Sequence, residues 1–171
     1  MSILTDKIDK LLSDKQLSRN KLALLIGYDA GSLNKMIKGE KSFAEDKIQK
    51  IAPILEIPPE QIKGWILADK YPENVLKRAL EVKQEVKPEA GMLILTAKID
   101  EILKEKGLSR TRLSNLIGYS QGKLNEMIKG VEPMSPLVVS KIAPVLEVSE
   151  EEITSWIVAG KHPTDALRLA V

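Results

Sequence analysis

The chain states nearly the same sequence twice. Shifted by 91 residues, positions 1–80 align with 92–171 without a gap, and 39 of the 80 aligned pairs are identical. The stretch "GYDAGSLNKMIKG", residues 27–39, returns as "GYSQGKLNEMIKG", residues 118–130. A period this long holds a complete small domain, not one unit of a solenoid, so the chain is expected to fold as two similar domains. Each copy opens on methionine, Met1 and Met92, as a duplicated or fused one-domain protein would. The expected boundaries are 1–80 for the first domain and 92–171 for the second. Between them "EVKQEVKPEAG", residues 81–91, is charged and carries Pro88 and Gly91, which reads as a linker.

Within each copy the apolar residues recur at helical spacing, and no Val- or Thr-rich alternating run suggests a strand, so the expected fold class is all-α. In the first copy Ile3, Ile8, Leu11 and Leu12 hold this period up to Gln16. Ser18 can cap a short second helix whose Leu22, Leu25 and Ile26 share a face, and Gly27 ends it. Asp29 can cap a third helix running to Lys38 and closed by Gly39. "SFAE", Ser42 to Glu45, has the capping-box pattern and should open a fourth, which Pro53 should kink or stop. Pro59 suits the first position of a fifth helix, and Pro72 begins a sixth that runs toward the linker. The second copy repeats this plan with equivalent letters: Ser120 for Asp29, Ser135-Pro136 at the fourth helix, and a capping box from Ser149 to Glu152 at the fifth.

Composition narrows the function classes. The chain has no cysteine, which rules out disulfides and thiolate metal sites and points to a reducing compartment. Its single histidine, His162, makes a metal site untenable. No glycine-rich phosphate loop and no paired carboxylates stand out, so neither an enzyme nor a cofactor is expected, and no small-molecule ligand is evident. No apolar stretch approaches the ~20 residues of a membrane span. Charges also interrupt "MSILTDKIDK" where a signal peptide needs its apolar core, so a soluble cytoplasmic protein is expected.

The net charge of +2 is small, but its placement is informative. Residues 1–80 carry 14 Lys and Arg against 11 Asp and Glu, whereas residues 92–171 carry 10 of each. Around the repeated word the bias is basic in both copies: five basic against two acidic residues over 17–41, and four against two over 108–132.

Leu17-Ser18, Ala23, Gly27, Leu33 and Gly39, with Leu108-Ser109, Ser114, Gly118, Leu124 and Gly130 in the second copy, carry a recognisable spacing. From Leu17 to Ile62, and again from Leu108, the chain resembles the Cro/CI (Xre-like) phage-repressor helix-turn-helix family, over roughly 45 of each copy's 80 residues. Tyr28 and Tyr119 depart from it, standing in the turn where relatives carry a small apolar residue. The resemblance implies two tandem lambda-repressor-like helix-turn-helix domains that bind double-stranded DNA by sequence and regulate transcription. It puts the third helices, Asp29–Lys38 and Ser120–Lys129, in the major groove, on half-sites about one helical turn or a multiple apart.

On the third helix Leu33, Met36 and Ile37 should face inward. That leaves Ala30, Gly31, Asn34 and Lys35, with Ser32 beside them, as candidates to read bases; Gln121, Gly122, Asn125 and Glu126, with Lys123, are their counterparts. Candidate phosphate contacts are Arg19, Lys21, Lys38 and Lys41, and Arg110, Arg112 and Lys129. Asparagine can pair with adenine or remain plain polar surface. Ala30 offers only apolar contact, such as a thymine methyl, whereas Gln121 could read adenine. Lys35 suits guanine or phosphate, while Glu126 could accept only from a donor such as cytosine N4, so the two copies are expected to read different half-sites. Trp65 and Trp156 sit on the fifth helix among isoleucines. Core packing is their default role, and the resemblance adds a contact between repeats, as a pseudo-dimer, or between chains. The rival to DNA binding is a protein-interaction module, in which one or both repeats grip a protein; a third reading is non-specific, architectural DNA binding.

Overall fold

The computed structural model describes residues 2–87 and 92–171, and the described residues form helices with no strand. In the first repeat these are α1 (Ile3–Asp14), α2 (Arg19–Leu25), α3 (Ala30–Ile37), α4 (Glu45–Leu55), α5 (Pro59–Lys70) and α6 (Glu73–Glu85). The second repeat supplies α7 (Ile94–Glu105), α8 (Arg110–Leu116), α9 (Gln121–Ile128), α10 (Pro136–Leu146), α11 (Glu150–Lys161) and α12 (Thr164–Arg168). No described helix is long and apolar enough to cross a membrane.

Most serine and aspartate caps expected at the helix starts form, and one expected box does not. Ser18, Asp29, Ser109, Ser120, Ser135 and Ser149 each accept the N–H three residues on, satisfying a donor that the helix cannot. The exception is α4, where the box expected from Ser42 and Glu45 does not form. Ala44, whose methyl has no acceptor, precedes the helix, and the Glu45 carboxylate instead receives Lys63 Nζ at 2.6 Å and Gln49 Nε2 at 3.0 Å. The box at Ser149 is half made. Ser149 caps Glu152 N, but the Glu152 carboxylate turns away to Arg78 and Trp156. α4 runs through Pro53 and stops two residues later, with Glu56 left-handed at φ 57°.

Two inward faces differ from the expected ones. On α1 the buried residues are Leu4, Ile8 and Leu12, and Ile3 points outward. On α2 they are Leu22 and Ala23, with Ile26 just beyond, while Leu25 is 55% exposed. A seven-residue helix lets either Ala23 or Leu25 complete that face, and the small Ala23 takes the crowded side.

The chain divides into two compact units that do not follow the repeat boundaries. One comprises residues 1–76 together with 163–171, the other residues 77–162. In the first unit, side chains of α1 to α5 close a core that includes Ile8, Leu22, Leu33, Ile51, Ile62 and Trp65. The second repeat's α12 packs on α5 of this unit. At Gly64 the helices meet so closely that a Cβ would stand 2.9 Å from the Leu169 backbone. In the second unit, Ile99, Leu113, Leu124, Ile142, Ile153 and Trp156 occupy the corresponding buried positions. Here the later turns of α6 attach to α11. Arg78 lies on the Glu152 carboxylate at 2.8–3.0 Å, and Lys83 Nζ donates to the carbonyls of Ala159 and His162 at the end of α11. Residues 81–85, expected as linker, are thus the last turn of α6, while Pro88, Gly91 and Met1 lie outside the described residues. The second repeat's α12 thus belongs to the first unit, and α6 from Lys77 onward belongs to the second.

Candidate nucleic-acid interface

The interface is built on the turn between the second and third helices. Gly27 and Gly118 adopt φ 64° and 65°, the left-handed conformation that glycine tolerates and other residues resist. The next N–H, of Tyr28 or Tyr119, then reaches back to the carbonyl of Ala23 or Ser114 at 2.9 Å. This sharp bond sends the chain directly into α3 and α9, whose N-caps are Asp29 and Ser120.

Leu33, Met36 and Ile37 are buried, as are Leu124, Met127 and Ile128. Gly31, Lys35 and Lys38 are exposed, Ser32 and Asn34 half-buried, and Ala30 half-buried against the core. In the second unit Gln121, Gly122, Lys123, Glu126 and Lys129 are exposed and Asn125 half-buried. Among the described residues, Gly122 has no non-local atom within 4 Å of where a Cβ would lie, and Gly31 only the Asp29 carboxylate at 3.4 Å. The protein itself does not require glycine at these two positions.

The other end of each third helix is held by a threonine. Thr5 Oγ1 donates to the Ile37 carbonyl at 2.8 Å, and Thr96 Oγ1 to the Ile128 carbonyl at 2.7 Å. These bonds from α1 and α7 satisfy C-terminal carbonyls that the helices leave open.

Lys21, Lys38, Lys41, Arg112 and Lys129 are exposed and form no ion pair among the described residues. Arg19 and Arg110 are placed differently. Arg19 lies across Asp9, with Nε 2.7 Å from Oδ1 and Nη2 on Oδ2, while Nη1 is 3.3 Å from Asn34 Oδ1. The Asp9 hydrogen bonds raise the Arg19 pKa above its ordinary value. In the second unit the same atoms meet at 2.8, 2.6 and 3.3 Å between Arg110, Asp100 and Asn125. The arginines expected at phosphate are therefore committed to internal partners. Sequence reasoning missed Asp9, Asp100, Thr5 and Thr96, although each pair is identical between the repeats.

Charge on the third helices is redistributed without being lost. Residues 29–38 carry Asp29, Lys35 and Lys38, and residues 120–129 carry Lys123, Glu126 and Lys129, two lysines against one acid in each. The Asp29 carboxyl is held below its ordinary pKa, chiefly by the Ser32 N–H, so the acid at that end of α3 is charged at neutral pH.

Trp65 and Trp156 do not form an outward stripe. Trp65 belongs to the first unit's core, and Trp156 is 2% exposed with Nε1 donating to Glu152 Oε1 at 3.1 Å. Their amphipathic rings fill interior space.

A family model described as the Cro/C1-type HTH DNA-binding domain matches residues 7–68 and again residues 98–159, together more than two thirds of the chain. No curated protein and no solved structure matches the chain.

Proposed function

The chain belongs to the Cro/C1-type helix-turn-helix DNA-binding family, present twice in tandem, and from that premise we propose that it regulates transcription by reading two non-identical half-sites of duplex DNA. The supporting observation is the contrast between scaffold and face. Beneath α3 and α9 the same threonine, arginine and aspartate make the same bonds, and the arginine donates to the same asparagine on each helix. Above them, Ala30, Ser32 and Lys35 are replaced by Gln121, Lys123 and Glu126. Two supports of equal geometry carry different donors and acceptors to the position from which bases are read. Lys21, Lys38, Lys41, Arg112 and Lys129, which form no ion pair among the described residues, are the phosphate contacts that set register. Gly31 and Gly122 leave room for close backbone approach.

One observation favours a protein partner for the second repeat. Val131 and Leu137, 73% and 64% exposed, stand where the first repeat carries Glu40 and Asp46. Selection of duplexes from a random pool, followed by binding measurements across salt, separates the two readings. Two distinct half-sites, one altered by Gln121→Ala with Glu126→Ala, support dual DNA reading. A single half-site insensitive to those changes assigns the second repeat to protein, and no binding even at low salt overturns the DNA function.

A further inference from the structure

Each third helix carries an asparagine whose side-chain oxygen already accepts one internal hydrogen bond. Asn34 Oδ1 lies 3.3 Å from Arg19 Nη1, and Asn125 Oδ1 3.3 Å from Arg110 Nη1. Guanidinium has donors and no acceptor, so the amide atom facing it must be the oxygen. The amide's orientation is thereby set by chemistry, with its NH₂ left to other partners. Asp9 and Asp100 hold each arginine by two bonds, fixing the guanidinium plane and neutralising its charge. The arginine side chains are only 22% and 23% exposed.

We propose that Arg19 and Arg110 are positioning residues that present Asn34 and Asn125 as amide donors to the acceptor edge of guanine, and that they are not phosphate ligands. The inference rests on the DNA reading above and deepens it. Guanine offers two acceptors in the major groove, O6 and N7, whereas adenine pairs N7 with an N6 amine that needs an acceptor. One of the two lone pairs of the oxygen that would receive that amine is taken by Nη1, and the guanidinium N–H groups, donors themselves, disfavour a second donor beside it. The identical arrangement in both units gives each half-site one such guanine, at the same place relative to its recognition helix. The differing side chains around it supply what distinguishes the half-sites.

The test is selection from a random duplex pool with full-length protein, followed by affinity on the selected duplex at several salt concentrations. The variants are Arg19→Lys, Arg19→Met and Asn34→Ala, each checked for folding by circular dichroism. Asn34→Ala should erase one guanine preference of the wild type and leave the salt slope unchanged. Arg19→Lys keeps the charge but cannot span aspartate and amide with a planar fork, so guanine-over-adenine discrimination there should fall about tenfold. Arg19→Met should do the same without flattening the salt slope. The assignment is overturned by adenine at the Asn34-dependent position in the wild type. It is also overturned by an Arg19→Met slope reduced by about one with discrimination intact, which marks a phosphate ligand. Should Arg19→Met not fold, Arg19→Lys with Asn34→Ala decides, and an Arg19→Lys protein with full discrimination refutes the role. A wild type that enriches no duplex fails the DNA reading itself and removes the assignment with it. Loss of guanine in Asn34→Ala, with both arginine variants silent, overturns the arginine's part alone.

Discussion

The Asp69 carboxylate receives the backbone N–H of Ile3 at 2.7 Å, and its second oxygen receives that of Leu4 at 3.0 Å. A side chain from the end of α5 thus caps the start of α1, alongside Ser2, which accepts the N–H of Thr5. In the second repeat both polar caps are gone. Leu93 replaces Ser2 and Gly160 replaces Asp69, and Leu93 passes over Gly160 in apolar contact. The first repeat's junction is electrostatic and the second's is hydrophobic, so Asp69→Ala should cost about 1 kcal/mol, typical of a lost helix cap. Thermal melting at neutral pH measures it, and an unchanged midpoint would show that Ser2 and water suffice.

A pH dependence follows from Glu152. Its carboxyl is held below the ordinary value mainly by the Arg78 hydrogen bonds, against burial and with help from Trp156. A group depressed in the folded state contributes stability that is complete above its unfolded pKa, near 4.3, and is lost as pH falls through the folded value. Glu152→Gln should therefore lower stability by about 1 kcal/mol at pH 7, the part-exposed pair being worth less than a buried one. The gap between wild type and variant should close below about pH 4. Melting curves at pH 7 and pH 3 supply the comparison, and a gap equal at both would remove the ion pair as its cause.

At Gly64 the α5 backbone comes so close to Leu169 that any side chain requires α12 to shift. Gly64→Ala is expected to destabilise by about 1–3 kcal/mol, as overpacking does, despite alanine's better helix propensity. Limited proteolysis should then release the C-terminal residues earlier than in the wild type. Gly160→Ala is the control, since its nearest non-local neighbour lies 3.9 Å away. If both variants behave alike, the close approach does not govern the docking of α12.

These contacts show where the sequence was legible. The inward triplets Leu33, Met36, Ile37 and Leu124, Met127, Ile128 follow from helical period alone, because an eight-residue helix leaves little choice of face. Leu25 could not be told from Ala23 on α2, since the decision belongs to whatever packs against it. Glu45 satisfied a local capping rule yet was claimed by Lys63 on another helix. The Arg19, Asp9 and Asn34 cluster spans separations of 10 and 15 residues, for which no spacing rule exists. Its signal was of another kind: three polar side chains retained in both copies while the surface around them diverged. The assignment of α12 to the first unit was illegible, because Gly64 and Leu169 acquire meaning only when their backbones meet.

Gly122 offers a separation of stability from binding. Among the described residues nothing occupies the space its Cβ would fill, so Gly122→Ala should stabilise α9 by a few tenths of a kcal/mol up to about 1 kcal/mol. If the DNA backbone or a base edge approaches that surface, the same methyl should weaken binding to the second half-site alone. Melting and half-site affinity, measured on one preparation, test both effects. Higher stability with unchanged affinity would place the DNA away from the first turn of α9.

The sharpest consequence concerns Lys35 and Glu126, equivalent and exposed positions of opposite charge on equal supports. Because the surrounding bonds are the same in both units, the exchange Lys35→Glu with Glu126→Lys should transfer specificity while folding is kept. Glu126→Lys alone should favour guanine or phosphate where glutamate could accept only from a donor such as cytosine N4, and should raise affinity for unselected duplex. Lys35→Glu alone should do the reverse at the first half-site, with about 1–3 kcal/mol lost at the base pair concerned. The double exchange, tested against the wild-type site and a site with those two base pairs swapped, should prefer the swapped site. A preference for the original site would mean that Lys35 and Glu126 stand beside the read bases without choosing them, leaving discrimination to Ala30 and Gln121.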